Sequence, residues 1–139
     1  MGLIIDSCVF IAEDRGRFDM AAFTGAFPDE EFRMSAVTVS ELMQGVHRAN
    51  NTKRRLERLN AVRRQMRAVP LLAFGYAEAE VHAEIVAELE GKGMMIGAYD
   101  AIIAATALAH DWSVATLNVS EFQRVPGLKV VDATPWLVN

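Results

Sequence analysis

Cysteine is almost missing from this chain: Cys8 stands alone among 139 residues, so no internal disulfide can form. That fits a reducing compartment. Histidine is scarce too, and His47, His82 and His110 lie too far apart in sequence to form a ligand pair, which serves zinc poorly. Long hydrophobic runs are absent. No stretch approaches the roughly 18 apolar residues that cross a bilayer, and Gly2 to Ile5 is too short for a secretion signal before Asp6 interrupts it. A soluble, cytoplasmic protein without membrane contact is expected. A phosphate-binding loop is lacking as well, because Gly91-Lys92-Gly93 has no following Lys-Ser/Thr and reads as a helix stop.

A net positive charge is also missing. Fourteen basic residues face eighteen acidic ones, for a net charge of −4, which argues against a general nucleic-acid binder with a wide basic surface. The balance is uneven, however. Arg48, Lys53, Arg54, Arg55, Arg58, Arg63, Arg64 and Arg67 are set against Glu57 alone within residues 48–67. Such a strip is either a solvated helix face or a local contact for phosphates or an acidic partner segment, with Arg54, Arg55 and Arg58 the candidate contacts.

What is present is a globular composition, 52% hydrophobic, in a chain long enough to bury a core as one domain, residues 1–139. Leu3 to Ile5 is a wholly apolar run, as in a strand covered on both faces. Ser7 can cap a short helix through Ile11, ended by Gly16, and Asp19 opens another as far as Phe27. Phe32 to Thr38 reads as a second strand, with Thr38 or Ser40 capping a helix whose Val39, Leu42, Met43 and Val46 face inward. Asn50-Asn51-Thr52 caps the basic helix, with Leu56, Leu59 and Val62 on its inner side. Val69 to Phe74 is a third strand, and Gly75 leads into a helix burying Val81, Ile85 and Leu89. Ala98 to Ala109 is a small-residue helix, Trp112 to Thr116 a fourth strand and Leu128 to Val131 a fifth. Strands alternating with helices imply an α/β domain: a mainly parallel sheet of about four to five strands with helices on both faces.

In such a sheet the binding crevice lies beyond the carboxyl ends of the strands. Asp6 ends the first strand, Glu41 lies in the first turn after the second, Asn118 and Glu121 follow the fourth, and Asp100 opens the small-residue helix. Any one acid near a helix N-terminus gains only about 0.3–1 kcal/mol from the dipole. Two carboxylates about 5 Å apart repel by roughly 3 kcal/mol at an effective dielectric near 20. Convergence therefore demands compensation by a divalent cation or a raised pKa. Magnesium and manganese, hard ions that accept carboxylate oxygens, suit the set.

Four segments then resemble a known family: Ile4-Ile5-Asp6-Ser7; Val39-Ser40-Glu41-Leu42 with Gly45; Ile96-Gly97-Ala98-Tyr99-Asp100 with its small-residue helix; and Thr116-Leu117-Asn118 with Glu121-Phe122. Their order and spacing are similar to those of a PIN-domain nuclease, nearest the VapC-like toxins of bacterial toxin–antitoxin pairs. The resemblance implies a single PIN-like domain with Mg2+- or Mn2+-dependent ribonuclease activity. It makes Asp6 and Asp100 the principal metal ligands, with Glu41 completing the site or orienting the attacking water. Asn118 occupies the position where many members carry a fourth aspartate, and Glu121 serves instead. Ser7 and Thr116 match hydroxyl positions lining the pocket. The implied partners are an RNA substrate, a VapB-like antitoxin laid over the groove, and a second copy in a homodimer. Two rivals stand beside this reading. An aspartyl phosphotransferase would carry a second aspartate where Cys8 stands, and a non-catalytic module would use the acids only to bind a partner in a DNA-bound regulatory complex.

Overall fold

A computed structural model describes all 139 residues. Five parallel strands form one sheet in the order β3-β2-β1-β4-β5: β1 Gly2–Ile5, β2 Glu31–Ser35, β3 Leu71–Leu72, β4 Ser113–Thr116 and β5 Val130–Asp132. The helices between them are α1 Ser7–Asp14, α2 Met20–Gly25, α3 Ala36–Arg48, α4 Thr52–Ala68, α5 Tyr76–Gly91, α6 Ala98–Ala109 and α7 Val119–Phe122. The expected α/β domain is therefore present, with its sheet wholly parallel.

Side-chain alternation along β1 divides the interior in two. Leu3 and Ile5 enter a cluster with Val9, Phe10, Phe23, Met34, Leu42 and Val62, beneath α1 to α4. Ile4, between them, enters the opposite cluster with Ile85, Leu89, Ile103, Val114 and Phe122, beneath α5 to α7. A strand buried on both faces has no polar position to spare, which is why Leu3-Ile4-Ile5 is apolar throughout. Gly2 answers to a neighbour: a Cβ there would lie 2.3 Å from the Trp112 ring. At the far rim Phe23, fully buried, packs against Phe18, Phe27, Phe32 and Trp136 with ring centroids 5.2–5.9 Å apart.

Several local expectations shift. The second strand ends at Ser35, whose hydroxyl caps α3 by accepting from Val37 N–H, so Thr38 and Ser40 lie inside the helix. Asp6, not Ser7, caps α1. On α4, Leu56 is exposed, whereas Leu59 packs against the core and Val62 is buried as expected, joined by Ala61 and Gln65. Gln65 is buried because its amide donates to Phe10 O (3.0 Å) and Glu13 Oε1 (2.9 Å), a satisfied polar contact that apolar periodicity does not register. The third strand is two residues long, and α7 is a helix the sequence pattern did not resolve.

Candidate active site

β1 lies at the centre of the sheet, and the chain builds outward first to β2 and β3, then to β4 and β5. The reversal between β1 and β4 leaves a crevice at their carboxyl ends. Asp6 and Thr116 stand on its two sides. Asp6 N–H donates to Ala115 O at 2.9 Å, extending the ladder by one step and holding Asp6 at the strand end.

Asp6 is nearly buried, and both of its carboxyl oxygens are engaged. Oδ1 accepts from Ser7 N–H at 2.8 Å; Oδ2 accepts from Thr116 Oγ1 at 2.7 Å and from the Cys8 thiol at 3.2 Å. Burial raises its pKa, these hydrogen bonds restrain the rise, and the Glu121 charge adds to it. Cys8 is half-buried, and burial beside Asp6 pushes its thiol up to about 12, so it remains a protonated donor and not a nucleophile.

Glu41 comes from the second turn of α3, one turn further than expected. Ser7 Oγ reaches its Oε1 at 2.7 Å and lies 2.9 Å from Thr38 Oγ1. Thr38 was read only as a possible cap, yet it is fully buried and completes a hydroxyl relay to Glu41. Desolvation raises the Glu41 pKa, Ser7 lowers it, and the Asp6 charge raises it.

Asp100 occupies the first turn of α6, where it was expected. Its pKa is raised to about 7: burial contributes most, then the charges of Asp6 and Glu121, the proximity of the Glu121 carboxyl, and the charge of Glu41. Four carboxyl groups thus feel one another at one crevice. None takes part in any of the four ion pairs in the molecule.

Glu121 and Asn118 act together. Glu121 Oε1 accepts from Gly97 N–H at 2.6 Å, tying the residue that precedes α6 to α7. Asn118 Nδ2 donates to the other Glu121 oxygen at 2.5 Å, and Asn118 N–H donates to Thr116 Oγ1 at 2.9 Å. Gly97 leaves room for this: a Cβ there would stand 3.1 Å from Asp100 Oδ2.

The donors fit a hard divalent ion. They are carboxylate oxygens, mutually repelled and without a protein cation. No three His, Cys, Asp or Glu side chains form a ready-made cage.

The basic strip divides. Arg58 donates to Gly45 O at 2.6 Å and Arg55 Nε to Ala49 O at 3.0 Å, so both satisfy carbonyls at the C-terminal end of α3. Arg54 uses only its backbone N–H, to the Asn51 cap. A groove of about 290 Å3 between α1, α3 and α4 runs from Glu41 past Leu42 and Gly45 to Arg48 and Arg58.

The family model described as "PIN domain" matches residues 3–128. The protein named Ribonuclease VapC1 from Rickettsia felis is 35% identical over 96% of this chain and 98% of its own length. The DNA-bound VapBC of Salmonella typhimurium superposes with a TM-score of 0.86 at 24% identity, covering 95% of this chain and 98% of that one. VapBC-5 of Mycobacterium tuberculosis, a member of the VapBC family of toxin–antitoxin systems, gives 0.75 at 25% identity over 94% and 98%.

Proposed function

Because the chain belongs to the PIN-domain family, in its VapC-like branch, we propose that it is a metal-dependent ribonuclease and the toxin of a toxin–antitoxin pair. The observation that carries this is the meeting of Asp6, Glu41, Asp100 and Glu121 at the crevice between β1 and β4, with the pKa values of Asp6, Glu41 and Asp100 raised by burial and by neighbouring carboxylate charge. Family relatives named as ribonucleases support RNA as the substrate.

Asp6 and Asp100 would hold Mg2+ or Mn2+. A bound ion would supply charge neutralisation at the phosphate and a water of lowered pKa. Asp6 is fixed for this task by Ser7, Thr116 and Cys8, which leave its carboxylate a single orientation. Glu41, oriented by the Ser7 hydroxyl, would complete the site or orient the attacking water. Glu121, held between Gly97 and Asn118, sets the position of the helix that carries Asp100.

The partners follow the same reading. A VapB-like antitoxin would lay a segment along the groove from Glu41 to Arg58, placing a cationic side chain near the acids, where its charge offsets their repulsion. A homodimer would align two such sites. No helix is long and apolar enough to cross a membrane.

The test is cleavage of total RNA by the purified protein with Mg2+, Mn2+ or chelator. Cleavage that chelator stops, and that Asp6→Asn and Asp100→Asn both abolish, is expected. Wild-type rates in either variant would overturn the assignment.

A further inference from the structure

Tyr99 precedes Asp100 on α6 and is not used by the chemistry described above. Its side chain is 38% exposed, yet it is not loose. Gln44 Nε2 donates to its hydroxyl at 3.1 Å, bridging α3 and α6. Gln44 is itself held within a stripe of residues four apart on the exposed side of α3. Its amide donates to Ser40 Oγ at 3.2 Å, and Arg48 donates to its Oε1 at 3.2 Å. An exposed aromatic ring needs no explanation by its presence alone. One anchored through its hydroxyl beside a reactive carboxyl is different, because its ordering is already complete before anything binds.

Space beside the ring is also provided. A depression of about 380 Å3 is lined by Tyr99, Asp100, Glu41, Gly97 and Ala98. Gly97 and Ala98 contribute almost no bulk, so the depression lies open between the aromatic ring and two of the site's acids. Single-stranded RNA is recognised by stacking splayed bases on such rings, which hold any base through its π-face.

Resting on the ribonuclease reading, we propose that Tyr99 is a substrate-positioning residue: it stacks the nucleobase next to the scissile phosphate, and Gln44 holds the ring in place. The ring sets which phosphate enters the acidic crevice.

The experiment measures binding of a short fluorescein-labelled, unstructured oligoribonucleotide by anisotropy. It uses an Asp6→Asn background with Mg2+ present, so that the RNA stays intact. Tyr99→Leu, which keeps apolar bulk without a π-face, should weaken binding roughly tenfold, the scale of one lost base stack. Tyr99→Phe, which keeps the ring and loses the Gln44 bond, should stay within about threefold. Abasic substitution along the RNA should show one position that costs the Tyr99 protein about tenfold and costs Tyr99→Leu nothing further. Equal binding by Tyr99 and Tyr99→Leu overturns the proposal. So does an equal loss in Tyr99→Leu and Tyr99→Phe, which would make the Gln44 bond a purely structural tie. A change in molar mass of Tyr99→Leu by light scattering would assign the ring to a subunit contact and overturn it too. Chelator-sensitive cleavage by the wild-type protein distinguishes these failures from failure of the ribonuclease reading.

Discussion

Removing the charge at Asp100 should stabilise the metal-free protein, although it should also abolish the proposed activity. The Asp100 pKa rises from an ordinary 3.8 to about 7, chiefly through burial and then through Asp6, Glu121 and Glu41. A carboxyl whose pKa is higher folded than unfolded binds more protons in the native state. Stability is therefore lost as pH rises from about 4 to about 7, and the loss is constant above that. At full strength the rise corresponds to about 4 kcal/mol. Asp100 is only half-buried, and solvent screening reduces this to roughly 1–2 kcal/mol. Asp100→Asn should thus be more stable than wild type by about that amount at pH 8 in chelator, a gain of roughly 3–7 °C in Tm. The advantage should shrink toward zero near pH 4. Saturating Mg2+ should reverse the order, because binding at about a hundredfold excess over Kd stabilises wild type by ~2.7 kcal/mol and the variant much less. Urea denaturation at several pH values, with chelator or Mg2+, measures all of this. An Asp100→Asn protein less stable than wild type at pH 8 in chelator would refute the repulsion argument.

Further outcomes follow from single contacts. Asp6→Asn should lower RNA cleavage at least ~100-fold, more than loss of an outer hydrogen bond to a metal ligand costs, while far-UV circular dichroism stays unchanged; a smaller loss removes Asp6 from the machinery. Glu121→Gln retains an acceptor for Gly97 N–H, whereas Glu121→Ala does not, so the alanine variant should be less stable than the glutamine variant by about 1 kcal/mol in thermal melts. Arg58→Ala should cost about 1 kcal/mol by freeing the Gly45 carbonyl, and Arg54→Gln almost nothing; if both vary RNA binding and its salt slope equally without a stability difference, the split of the basic strip is wrong. Leu89→Ala should cost about 2–5 kcal/mol in urea denaturation and Leu56→Gln under about 0.5, since one is fully buried and the other exposed.

The same contrast runs through the whole molecule. Leu3-Ile4-Ile5, the small-residue helix from Ala98 to Ala109 and the Asn51 cap were legible because apolar period and cap chemistry are local properties. Asp6 and Asp100 were legible too, being acids placed where strand ends and helix starts converge. The sequence pattern was less reliable at element ends: the apolar run through Val37 and Val39 hid the Ser35 cap and moved Glu41 by a turn. On α4 a leucine period suggested Leu56 as inward, but Leu56 is exposed and Gln65 is buried with its amide satisfied by Phe10 O.

By itself, then, the sequence determined the α/β order, the two-faced burial of the first strand and the identity of the acids, because each depends on residues near one another in the chain. Tertiary structure alone decided how those acids are held. The Ser7–Thr38 relay to Glu41 spans 31 residues, the Thr116 bond to Asp6 spans 110, and the Glu121 tether of the Asp100 helix spans 24. No local period encodes such contacts, since they arise only where the parallel sheet brings distant strand ends to one edge. Burial and mutual charge, which raise the Asp100 pKa to about 7, are consequences of that convergence and of no single segment.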